Sequence, residues 1–247
     1  MKISISILLA LTLLIACKGK ENASSDTEAA KNKSVTDNQD DDAWISLFDG
    51  TSFDNWRGYL MDTMAPGWTI EEGTMAYTPG ANSRNNIITK KQYTDFILSL
   101  DWKIAEGGNS GIMWGVYEDP ALPEPYQSGP EIQVLDNKGH PDGKPGSLHE
   151  AGSLFGMISP SADVSKPAGE WNHFLITIDY KNNRATVQLN GTEIENFPLQ
   201  GEKWDEMLAS SKFKDWPEFG KHQTGYIALQ DHGSKVCFKN IKIKELQ

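Results

Sequence analysis

Phe96-Ile97-Leu98-Ser99-Leu100-Asp101-Trp102-Lys103-Ile104 puts Phe96, Leu98, Leu100, Trp102 and Ile104 at every second position, with Ile97, Ser99, Asp101 and Lys103 between them. Successive side chains of an extended chain point to opposite faces, so this stretch is a strand with one face in a core and another that turns polar toward its end. Phe174, Ile176 and Ile178 repeat the alternation downstream. Thr186 to Leu189 then meets Asn190-Gly191, a dipeptide that accepts the positive φ angles of a two-residue turn, which predicts a hairpin from about Arg184 to Phe197. Gly225 to Leu229 and Val236 to Ile243 close the chain, with a shift of apolar phase at Asn240 that predicts a β-bulge. Only Lys203 to Phe213, with Trp204, Met207, Leu208 and Ser211 at helical spacing, predicts a short amphipathic helix capping one sheet. Gly, Pro and Asn punctuate the rest, no internal repeat is visible, and the fold class that follows is all-β: one two-sheet sandwich over residues 43–247. Its expected core includes Phe96, Leu98, Leu100, Ile132, Val134, Ile176, Ile178, Ile227, Leu229 and Phe238.

Upstream of Trp44 the composition changes. Lys2 is followed by a largely apolar run from Ile3 to Ala16, too short for a bilayer span and suited to a signal peptide over residues 1–16. The run ends Leu14-Ile15-Ala16-Cys17, the pattern of a bacterial lipobox, so Cys17 is expected to be acylated and to become the mature N-terminus. From Lys18 to about Asp42 there is no aromatic residue and one large aliphatic, Val35, the composition of a disordered tether over 17–42. These features predict a lipoprotein of the bacterial cell envelope, held to the membrane through its lipid alone. Cys237 is the only other cysteine, so no intramolecular disulfide can form once Cys17 carries lipid, and its apolar setting marks it as a buried small hydrophobe. The net charge of −11, one unit more negative without Lys2, excludes nucleic acid and anionic lipid head groups as partners of the domain.

Three blocks concentrate groups capable of chemistry. In Gly129-Pro130-Glu131-Ile132-Gln133-Val134-Leu135-Asp136 the alternation sends Ile132 and Val134 inward, so Glu131 and Gln133 point out of the sandwich, onto a face where sugars commonly lie in jelly rolls. Asn109-Ser110-Gly111-Ile112-Met113-Trp114 precedes it, with Asn109 a polar contact and Trp114 a stacking platform for a sugar. Leu229-Gln230-Asp231-His232-Gly233 crowds polar groups at a strand end. The third block runs from Leu148 to Gly156, and its His149 lies behind a Pro- and Gly-rich loop from Pro141 to Gly146 long enough to wall a site.

"WISLFDGTSFDNWRG" (Trp44 to Gly58), "NSGI" (Asn109 to Ile112), "GPEIQVLDN" (Gly129 to Asn137), "HEAGSLFGMI" (His149 to Ile158), "GEWNHF" (Gly169 to Phe174), "LNG" (Leu189 to Gly191) and "ALQDHGSKVCFKNIKIKEL" (Ala228 to Leu246), in that order, resemble the 3-keto-disaccharide hydrolase domain family. The resemblance runs from about Trp44 to Leu246. It implies a concanavalin A-like jelly roll and activity on glycosides whose C3 hydroxyl has been oxidised to a ketone. Similar sequences carry an aromatic where Ile132 stands and an acid where Gly156 stands, so no role attaches to Gly156.

A ketone at C3 makes the C2 hydrogen acidic, and the glycosidic oxygen can then leave by β-elimination before water adds back. That route needs a base near C2, an acid near the glycosidic oxygen and a stabiliser for the enolate. Glu131, His149, Asp231 and His232 are the expected proton carriers. Lys103, Asn109, Trp114, Gln133, Asp136 and Gln230 are the expected substrate contacts, with Lys103 or a divalent metal as enolate stabiliser. Glu131, His149 and His232 are the candidate metal ligands, although no short His-x-x-x-His spacing is present. Two other readings stay open: a sugar-binding module without proton carriers, which would lean on Trp114, Trp56 or Tyr126, and a glycosidase with two carboxylates about 5 Å apart. For the second, Gln133 stands where jelly-roll glucanases place an acid.

Overall fold

The structure is a computed structural model and describes residues 44–80 and 85–247. The signal peptide, Cys17 and the tether lie outside the described residues. Among the described residues no helix is long and apolar enough to cross a membrane.

The chain forms β1 (Ile45–Ser46), β2 (Trp56–Gly58), β3 (Trp68–Glu71), β4 (Thr74–Tyr77), β5 (Ile87–Thr89), β6 (Phe96–Ile104), β7 (Asn109–Val116), β8 (Glu131–Leu135), β9 (Asn172–Asp179), β10 (Arg184–Leu189), β11 (Thr192–Phe197), α1 (Glu202–Ser210), β12 (Tyr226–Leu229) and β13 (Val236–Glu245). One sheet runs β11-β10-β9-β6-β13-β4-β3, with β1 added beside β13, and the other runs β2-β5-β12-β7-β8. The two antiparallel sheets face each other as the jelly-roll sandwich that the strand pattern predicts. Every residue of the expected core is buried, and Trp102, Phe174 and Phe238 are wholly enclosed between the sheets. Burying side chains of this size supplies most of the folding free energy, about 1.5–3 kcal/mol for each large aliphatic one. Cys237 is buried and free, and burial pushes its thiol up.

Local chemistry explains the turns and the interruptions. Asn190 and Gly191 adopt φ of 52° and 84°, as a tight hairpin between β10 and β11 requires. The bulge near Asn240 is present: pairing of β13 with β6 slips between Lys239 and Lys242, and Asn240 sits at φ 52°. The helix is shorter than its periodicity predicts. Ser211 turns extended, its hydroxyl donating to the Leu208 carbonyl at 2.8 Å and accepting from the Phe213 N–H at 3.0 Å. Local hydroxyl bonding of this kind competes with another helical turn. The consequence reaches the site, because Lys212 and Phe213 leave the helix and enter a wall.

Candidate active site

The outward face of the smaller sheet carries the site. Its strands alternate so that Ile112, Ile132, Val134, Ile227 and Leu229 enter the core, which leaves Asn109, Gly111, Glu131, Gln133 and Gln230 facing out. On most solvated sheet faces such residues would be exposed, yet Asn109, Glu131, Gln133 and Gln230 are all buried. Two loops fold over them and leave a cleft of about 260 Å³.

The first loop attaches to β8 as an irregular extra strand. The N–H of Gly152 donates to the Gln133 carbonyl at 2.9 Å, that of Gln133 to Ser153 at 3.1 Å and that of Phe155 to Glu131 at 3.0 Å. Glu195 of the opposite sheet anchors the same loop by accepting the Leu154 N–H at 2.9 Å, and burial pushes its carboxyl up to about 8. The effect is to seat Phe155 on one side of the cleft. The second loop follows α1. Phe213 and Phe219 stack at 4.0 Å, Trp216 meets Phe213 edge-on at 5.1 Å, and Tyr126 leans on Trp216 at 5.9 Å. Gly220 ties this aromatic wall down through an N–H bond of 2.8 Å to Ser128.

Glu131 lies at the bottom. Its carboxyl sits over Gly111 of the neighbouring strand: a Cβ there would stand 1.7 Å from Oε1 and 2.5 Å from Cδ, so this position must be glycine for the carboxyl to lie where it does. Burial pushes the Glu131 carboxyl up to about 8, against the opposing field of Lys212. The Lys212 ammonium stands 4.1 Å from the centre of the Phe155 ring and 5.1 Å from that of Phe213, and burial lowers it while Glu131 and Asp142 raise it. Around this pair, Glu131 Oε1, both amide atoms of Gln133, Asn109 Oδ1 and Gln230 Oε1 are buried without a protein hydrogen-bond partner. An unpaired buried polar group costs about 1–3 kcal/mol, so such a concentration is retained where a ligand supplies the partners.

A second, more polar lobe of about 350 Å³ adjoins the first and shares Tyr126, Gln230 and His232 with it. Asn86 organises this lobe, donating to Glu124 Oε2 at 2.8 Å and accepting the Asp231 N–H at 2.9 Å. Asp231 takes the Asn85 N–H and side-chain amide at 3.2 and 3.1 Å on one oxygen and the Gly233 N–H at 2.8 Å on the other. It holds the backbone around the lobe, while the exposed His232 lies at the junction of the two lobes.

Of the residues expected from sequence, Glu131, Gln133, Asn109, Gln230, Asp231 and His232 converge here. Four do not. Trp114 is buried between the sheets against Phe197, because it shares the inward phase of Ile112, and it offers no platform. Lys103 belongs to the other sheet, where its ammonium lies 4.8 Å from the Trp171 ring. Asp136 accepts the Gly107 and Lys138 N–H groups at 2.8 and 3.2 Å and closes a turn. His149 stacks on Phe155 at 4.5 Å and does not line the cleft with Glu131 and His232. Among the described residues no three His, Cys, Asp or Glu side chains gather as metal ligands, so Glu131, His149 and His232 form no such set. Lys212, Phe155, Phe213, Trp216 and Phe219 are not among the expected site residues, since they reach the site from loops whose paths no local pattern announces.

Residues 43–244 match the family of 3-keto-alpha-glucoside-1,2-lyase-like domains. The 3-keto-disaccharide hydrolase of Bacteroides thetaiotaomicron is 32% identical over an alignment covering 96% of each chain. A crystal structure from Parabacteroides distasonis, provisionally described as a glycosyl hydrolase, superposes with a TM-score of 0.77 at 32% identity, over 86% of this chain and 98% of that one. A second from the same organism, described alike, gives 0.61 at 26% identity, over 82% and 99%.

Proposed function

The chain belongs to the 3-keto-alpha-glucoside-1,2-lyase-like family and is a glycoside-cleaving enzyme, and from that premise we propose that it cleaves 3-keto-glycosides by elimination across C1 and C2, with Glu131 as the base. The observation that carries the reading is the buried Glu131 carboxyl, raised to about 8 and sharing its cleft with the Lys212 ammonium among polar atoms that the protein leaves unpaired.

The ionised carboxylate of Glu131 takes the C2 proton. The C–H electron pair becomes the C2=C3 bond of an enolate, whose negative charge on O3 is met by the Lys212 ammonium. The enolate then collapses: the C3 carbonyl reforms, the C1=C2 bond forms and the C1–O bond breaks, and the departing oxygen takes a proton from His232 or from water. Addition of water across the new double bond, hydroxyl to C1 and proton to C2, completes a net hydrolysis. A base whose own pKa lies near the working pH combines strength with a useful ionised fraction, and desolvation gives Glu131 that property. Lys212 acts where water is scarce, so its charge counts for more than it would in solvent. Gln133, Asn109 and Gln230 hold the ring hydroxyls, and the polar lobe takes the aglycone.

The deciding experiment is to incubate the protein with a 3-keto-glucoside and with its unoxidised parent. Cleavage of the oxidised compound alone is expected. Equal cleavage of both would point to a two-carboxylate glycosidase, and binding of either without cleavage to a sugar-binding module. We further propose that acylated Cys17 holds the enzyme in the cell envelope; Cys17→Ser should release it to the soluble fraction, and its retention with membranes at wild-type levels would refute the anchor.

A further inference from the structure

We propose that the protein carries a second saccharide-binding site, on the outward face of the eight-stranded sheet, where Trp44, Asp101, His173 and Asn240 take a neutral pyranose. The two sites lie on opposite outer faces of the sandwich. A cleft of about 660 Å³ opens here over β6, β9 and β13, and the chain from Trp44 to Gly50 forms one of its sides. Asp101 of β6 faces His173 of β9 directly across the ladder, and His173 Nδ1 lies 2.7 Å from Asp101 Oδ1. The bulge in β13 turns Asn240 into the same cleft, and its amide donates to Asp101 Oδ2 at 2.6 Å. Asn240 keeps a positive φ of 52° to do so, a backbone state that asparagine reaches more readily than most residues.

The result is a row of planar polar groups tied to one another by hydrogen bonds. With Nδ1 engaged by the carboxylate, His173 has Nε2 left for a ligand, and each Asp101 oxygen has a further lone pair. Trp44 flanks the row, with the Lys242 ammonium 5.0 Å from its ring. An aromatic wall beside hydrogen-bonding groups of both polarities suits a polyhydroxylated ring, which has apolar faces and an equator that both donates and accepts. Two carboxylates, Asp49 and Asp101, against the single ammonium of Lys242 disfavour an anionic ligand in the same cleft. Strand addition by a peptide is excluded, since β9, β6 and β13 are interior strands whose backbone groups are already paired.

The test is a titration of the wild-type protein, followed by amide NMR, with the methyl glycosides of glucose, galactose and mannose, each taken to about 50 mM so that millimolar dissociation constants are reached. At least one should move the signals of Ser99, Asp101, His173 and Asn240. Asp101→Asn should weaken that binding about tenfold or more, and Trp44→Ala, which leaves the polar row intact, should weaken it too. Both variants should cleave a soluble 3-keto-glucoside as the wild type does. Shifts confined to Gln133 and Gln230, no shifts with any of the three sugars, or undiminished binding by both variants would each overturn the proposal. Failure of 3-keto-glucoside cleavage in the wild type would overturn the proposed reaction and leave this site standing.

Discussion

Gly111→Ala isolates the placement of the Glu131 carboxyl from everything else about the fold. Gly111 has an ordinary backbone conformation, so alanine is compatible with the strand and removes unfolded-state freedom worth about 0.4–1 kcal/mol. The three atoms nearest the added methyl all belong to the Glu131 side chain, at 1.7 Å for Oε1, 2.5 Å for Cδ and 2.8 Å for Cγ in the undisturbed geometry, with the carboxyl the most displaced. Reaching ordinary van der Waals separation requires the carboxyl to retreat by about 2 Å. Misplacing a reacting group by about 1 Å can reduce a rate about 10²-fold, so kcat on a chromogenic 3-keto-glucoside should fall by at least about 10². KM should change little, because Gln133, Asn109 and Gln230 are untouched, and the denaturation midpoint should stay near that of the wild type. Activity within about threefold of wild type, in a variant whose structure shows Glu131 displaced, would refute the assignment of this carboxyl to the chemical step.

The pH dependence of kcat/KM should rise toward about 8 as Glu131 ionises, with an alkaline fall below the usual lysine range because burial lowers Lys212. Lys212→Met should cost about 10² in kcat and move the rising limb to higher pH, since the ammonium that opposes the upward shift of Glu131 is gone; an unmoved limb would separate the two groups. Folded Glu131 holds its proton up to about 8, against 4.5 for an ordinary glutamate, so its stabilising protonation is complete below the latter value and stability falls as pH rises through the former. Glu195 behaves alike. Glu131→Gln should therefore lose less stability than the wild type between pH 5 and pH 8 in urea titrations, while its turnover drops about 10²–10⁴. Leu100→Ala, in the centre of β6 and wholly buried, should cost about 2–5 kcal/mol in the same assay, and a near-neutral result would show that the inward face of β6 is misassigned.

Strands, hairpin and bulge were legible because each is encoded within a few residues. The alternation from Phe96 to Ile104, the Asn190-Gly191 turn and the phase slip at Asn240 all appear in the structure where the pattern puts them. The same rule sent Glu131 and Gln133 outward, and applied from Ile112 it would have placed Trp114 in the core. The helix end was less legible, since the Ser211 hydroxyl bonds that stop it compete closely with one more turn.

Which polar faces meet is a different kind of information. Lys103 and Glu131 each stand on the outward side of a strand, and nothing near either says that β6 lies in one sheet and β8 in the other. Lys212, Phe155 and Trp216 are drawn to Glu131 by loops tied down through Glu195, Ser128 and the backbone of β8, contacts that span tens of residues. Alternation and turn chemistry act between neighbours, so the sequence alone determined that this is an all-β chain and which side of its clearly alternating strands faces away from the core between the sheets. Burial acts between segments that meet only after folding, so only the tertiary structure decided that Glu131 is desolvated, raised to about 8 and placed in the field of the Lys212 ammonium, the properties on which its proposed role as a base rests.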